Sequence, residues 1–126
     1  GANLDRVQVI KGWVDAKGES REKIFDVAWS GERLPLPDGS LPPVGNSVDE
    51  ARASYSNSIG AAQLATVWED PEFDPSLPAF YYVRGLQIPT PRHSLYDAVA
   101  LQIPPPQQLP TAIQERAYSS PIWYTP

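Results

Sequence analysis

The stretch Ala79-Phe80-Tyr81-Tyr82-Val83-Arg84-Gly85-Leu86-Gln87-Ile88 decides the fold. It is dense in aromatic and β-branched residues, which suit a pleated, half-buried surface. Side chains alternate along a strand, so Tyr81 and Val83 share one face while Tyr82 and Arg84 share the other. Tyr81 and Val83 are expected to point into a core. The natural partner is the closing segment from Arg116 to Tyr124, which has the same character. Pro121 within it has no N–H to give to a ladder, which places that segment at a sheet edge or on a bulge.

Composition narrows the class. The chain has 126 residues, enough for one domain with a single core. Fifteen prolines are too many for long helices, because each removes a donor and fixes φ. Four Trp, six Tyr and three Phe argue against disorder. The net charge of −5 leaves no electrostatic footprint for nucleic acid. No apolar run reaches membrane-spanning length, and no signal peptide is visible. Without cysteine there are no disulfides and no thiolate metal sites. The chain has no methionine and begins at Gly1, which reads as a fragment or processed product. A signal lost upstream would allow a periplasmic or extracellular location.

Working outward, Leu4 to Val14 places Val7, Val9 and Trp13 on one face, with Gly12 as a bulge or a close backbone approach. Asp15-Ala16-Lys17-Gly18 forms a turn, and Glu19 to Trp29 resumes alternation, giving an antiparallel hairpin. Ser30 to Asn46 is a long proline-punctuated loop. Ser47 to Arg52 has room for one helical turn, and Ala53 to Ile59 reads as a strand. Ala61 to Glu69 fits helix by composition and strand by its Thr-Val-Trp run. Asp70 to Pro78 is a loop. Pro89 to Glu115 is a long excursion between the two end strands, with a short helical turn near Ser94 to Leu101.

Several ordered blocks carry a resemblance. They are Gly-Trp-Val-Asp-Ala-Lys-Gly (12–18), Asp-Val-Ala-Trp-Ser-Gly (26–31), Leu-Pro-Pro-Val-Gly-Asn (41–46), Phe-Tyr-Tyr-Val-Arg (80–84), Ile-Pro-Thr-Pro-Arg (88–92) and Ile-Gln-Glu-Arg-Ala-Tyr-Ser-Ser-Pro-Ile-Trp-Tyr-Thr-Pro (113–126). Over nearly the whole chain these resemble the C-terminal part of domain-of-unknown-function family 3604. Full-length members of that family look similar to the polymerase-and-histidinol-phosphatase (PHP) superfamily of metal-dependent phosphoesterases. The resemblance implies that a divalent metal is bound by upstream His, Asp and Glu residues, and that this chain carries no cofactor of its own. It implies as partner the N-terminal domain of the same protein. Gly85 stands where relatives usually have Val, and His93 where they usually have Trp.

The candidate substrate-rim residues are Arg92, His93, Tyr96, Asp97 and Arg84. Asp97 can orient His93, the only histidine, as a general base; the plainer reading is an exposed imidazole. Arg92 and Arg84 can grip a phosphate or carboxylate, since guanidinium forks match those anions. Alternatively Arg92 pairs with Asp97, and Arg84 lays its stem across the sheet. Asp70, Glu72 and Asp74 offer oxygens to a hard cation, but their spacing matches no calcium loop and Asp before Pro is turn chemistry. Trp13, Trp29, Trp68 and Trp123 suggest a sugar-binding strip, with core the stronger reading for at least two. No catalytic residue and no metal ligand is assigned.

The expected fold is all-β: a single antiparallel, β-sandwich-like module over residues 1–126, with roughly six or seven strands, long proline-rich loops and little helix. The expected function is that of an accessory C-terminal module of a PHP-like metal-dependent hydrolase, non-catalytic by itself. The alternative is an independent carbohydrate- or protein-binding module. A face deprived of its neighbour would also favour a homodimer.

Overall fold

The computed structural model describes residues 1–126. β1 (Leu4–Val14) and β2 (Ser20–Trp29) form the expected antiparallel hairpin. The Asp15 carboxylate accepts hydrogen bonds from the N–H groups of Lys17 at 2.9 Å and Glu19 at 3.0 Å, closing the turn. Gly18 completes it at φ +81, a conformation open to a residue without Cβ.

The free side of β1 pairs antiparallel with β3 (Ala79–Gln87), in a register that sets Gly12 opposite Phe80 and Ile10 opposite Tyr82. β4 (Thr90–Pro91) and β5 (Ala112–Ile113) form a two-stranded ribbon at the base of the excursion that carries α1 (His93–Leu101). The closing segment binds the far side of β3 as two short pieces, β6 (Arg116–Tyr118) and β7 (Ile122–Tyr124). The chain order β2-β1-β3-β6, with β7 also on β3, puts this segment at the edge, as Pro121 requires. Between the pieces, Ser119 donates its N–H to Val83 O at 2.9 Å and accepts the Val83 N–H on its hydroxyl at 2.9 Å.

The architecture is all-β with one short helix. The main sheet has five strands and the β4–β5 ribbon is a second, two-stranded sheet. Pro35, Pro37, Pro42 and Pro43 deny the segment after β2 the run of donors that a second ladder needs. Ala53–Ile59 is a turn region with one bridge, Asp49 to Ser54, where a strand was expected. Its backbone is bonded by a side chain from upstream instead: the Ser47 hydroxyl donates to Ser56 O at 2.6 Å and accepts the Ser56 N–H at 3.3 Å. Ala61–Glu69 is neither helix nor strand. Ala61 exchanges two hydrogen bonds with Leu4, and the rest is extended chain without a ladder partner.

That segment crosses one face of the sheet. Trp68 packs on Phe25 with ring centroids 5.0 Å apart, and Phe73 packs on Tyr124 at 4.9 Å. Tyr81 is half-buried there, but Val83 is 39% exposed, because the crossing leaves a groove between Val83, Leu64 and Trp68. The opposite face carries Ile10, Phe80, Tyr82, Tyr118 and Trp123. Only fifteen residues are buried, including Ile10 in the sheet and Ile88, Leu95 and Ala98 at the excursion. Trp13, Trp29 and Trp68 are half-buried and Trp123 is exposed, because a strand position encloses a ring only where a second layer lies above it.

Candidate functional site

The excursion from Pro89 to Glu115 is held at its base. Arg92 donates its backbone N–H to Thr111 O at 2.8 Å, beside the β4–β5 ribbon. The chain then enters α1, longer than the single turn expected, with Leu95 and Ala98 buried and His93, Tyr96 and Asp97 turned outward. His93 and Asp97 stand one helical turn apart, as i and i+4 neighbours on an exposed stripe. No hydrogen bond or ion pair joins them, nor does Arg92 pair with Asp97. The Arg92 side chain is partly buried, and its Nε is buried without a partner. α1 begins with no side-chain cap.

Arg84 belongs to a different neighbourhood. Its Nε and Nη2 donate to Gln8 Oε1 at 2.8 and 2.6 Å, and Gln8 in turn donates to Asp26 at 2.8 Å. This chain of bonds links the guanidinium on β3 through β1 to β2. The neighbouring Tyr118 phenol is held below its ordinary pKa, first by Arg116 and also by Arg84.

Two buried polar clusters had no signal in the sequence. Lys11 is 4% exposed. Its Nζ donates to Asp70 Oδ2 at 2.5 Å and to Glu72 O at 2.8 Å, and lies 5.0 Å from the Trp13 ring. The Tyr81 hydroxyl donates to the same Asp70 oxygen at 2.7 Å. Burial raises the Asp70 carboxyl, but hydrogen bonds from Lys11, Tyr81 and the Glu72 N–H outweigh it and hold the group below its ordinary value. Burial, then the Asp70 contact, pushes the Tyr81 phenol well up. Asp70 is thus an internal counter-ion, and Glu72 pairs with Lys23 at 2.5 Å. Asp74 closes its own turn through Ser76.

The second cluster surrounds Asp5, 1% exposed. Gln114 donates to Asp5 Oδ2 at 2.9 Å, and Arg6 Nε to the same oxygen at 3.1 Å. Arg33 Nη2 lies 2.7 Å from Oδ1, an ionic contact without hydrogen-bond alignment. The remaining donors of Arg33 reach Ser30 O at 3.0 Å and Pro42 O at 2.9 Å. Asp5 therefore ties two long loops to the sheet.

The four tryptophans form no common strip. Trp68 packs on Phe25, Trp29 donates to Arg33 O at 2.8 Å, Trp13 lies under Lys11, and Trp123 is 72% exposed.

A match to the model of DUF3604, described as protein of unknown function, runs over residues 1–126. The chain belongs to the DUF3604 family. No curated protein and no solved structure matches it. No three His, Cys, Asp or Glu side chains of this DUF3604 chain converge on one point. No helix is long and apolar enough to cross a membrane.

Proposed function

We propose that this DUF3604 chain is the accessory C-terminal β module of a PHP-like metal-dependent hydrolase, non-catalytic by itself. In this reading the metal is held by the rest of the protein, and the Pro91–Arg92 loop forms part of the substrate rim. The observation that carries the reading is the excursion. Its base is pinned by the β4–β5 ribbon, while Val99, Leu101, Ile103 and Leu109 remain between 36% and 67% exposed. A fixed arm with an apolar end is suited to packing on a neighbouring domain, and Arg92 lies at the root of that arm.

Phosphoesterase assays with added divalent metal, on this chain and on a longer form of the protein, test the reading. Activity is expected only in the longer form, with Arg92→Ala raising its KM. Activity of the 126-residue chain alone would overturn it. In isolation the uncovered arm favours a homodimer, which light scattering would detect.

A further inference from the structure

We propose that the open face of the sheet carries a site for an alkylated ammonium ion, built on the cross-strand row Glu22–Gly12–Phe80–Trp123. The ladder sets Gly12 opposite Glu22 on one side and Phe80 on the other, and Phe80 opposite Trp123. Residues directly opposite in antiparallel strands share a face, so all four project to the side that the 61–78 segment leaves uncovered.

Gly12 shapes the site. A Cβ there would lie 2.4 Å from two Phe80 ring atoms, so the ring occupies the space of the absent side chain. Phe80 thereby becomes the floor of a groove of about 490 Å³, a volume in the range of small-molecule sites. Trp123 rises beside it, with ring centroids 5.2 Å apart and planes at 45°. On the opposite side stands Glu22, an exposed carboxylate with no ion-pair or hydrogen-bond partner. The other charged residue lining the groove, Arg21, is already paired with Asp15 and Glu19.

Charge complementarity selects the ligand. The faces of aromatic rings carry negative potential, which attracts cations, and an unpaired carboxylate adds a full negative charge at the same groove. A compact organic cation, weakly hydrated because its nitrogen bears alkyl groups, satisfies both. An anion meets repulsion from Glu22. A neutral ring system would use the aromatic walls and leave the carboxylate idle. This site is independent of the hydrolase reading: it uses neither the excursion nor Arg92.

The test is titration of the 126-residue chain with choline, followed by the tryptophan indole N–H signals in heteronuclear NMR. The Trp123 signal is expected to shift saturably. Trp123→Ala and Glu22→Gln should each weaken binding about tenfold or more. Both side chains are exposed, and unchanged amide spectra elsewhere verify the fold. The neutral isostere 3,3-dimethylbutan-1-ol should bind far more weakly. Equal binding by this alcohol or by cellobiose, or no response to choline, would overturn the proposal. Phosphocholine, a trimethyllysine peptide and phosphatidylcholine vesicles then distinguish a free metabolite, a modified protein and a lipid headgroup as the source of the cation.

Discussion

Two glycines on adjacent strands face opposite demands. Gly12 has the Phe80 ring where its side chain would be, whereas a Cβ on Gly85 would meet nothing within 4 Å. Gly12→Ala is therefore expected to displace the ring and destabilise the fold by about 1–3 kcal/mol, as overpacking does. Gly85→Val should add about 0.5–1 kcal/mol, because a β-branched residue replaces the most flexible one inside a paired strand. Urea-denaturation midpoints that moved the same way for both variants would refute this reading of the two sites. At this scale the sequence was informative in part. Gly12 was legible as a point of close approach, but the ring responsible lies on a strand far along the chain. Arg92, His93 and Asp97 were legible as neighbours, yet adjacency did not bring bonds between them.

At the scale of elements, the bonds among β1, β3 and the 70–78 loop centre on Asp70. Its folded carboxyl lies below the ordinary value of 3.8, so its contribution to stability is complete above that pH and disappears as pH falls through the folded value. The Tyr81 phenol lies above its ordinary value of 10.0, so its contribution is complete below pH 10.0 and declines as pH climbs beyond it. The expected profile is a plateau bounded by an acid limb and an alkaline limb. Asp70→Asn should reduce the acid limb and cost about 3–5 kcal/mol near neutrality, by leaving Lys11 buried without a counter-charge. Thermal melts across pH would check this, and an Asp70→Asn protein as stable as the parent would refute it. The β1–β2 hairpin was legible because its turn, Asp15 to Gly18, is local. The closing segment was placed at an edge by Pro121. The β1–β3 ladder was not legible, since partners such as Gly12 and Phe80 leave no periodic signal in the intervening chain. Residues 53–59 misled because serines at alternate positions mimic a half-buried strand, while the backbone there is held by the Ser47 hydroxyl rather than by a ladder.

For the whole molecule, the notable quantity is how little is deeply buried: fifteen residues of 126. A five-stranded sheet flanked largely by loops has few positions enclosed on both sides, so order in the loops rests on polar anchors. Asp5 is the principal one, reached by Arg33 from the loop after β2 and by Gln114 from the end of the excursion. Long loops normally fluctuate independently. Here the two meet on one carboxylate, so their opening should be a shared event. In Asp5→Asn, amide hydrogens around residues 30–46 and 89–115 should exchange faster and in concert, with the β1–β2 hairpin still protected. One side chain thus sets the size of the molecule's cooperative unit, and motion on one flank of the sheet would be felt by the other.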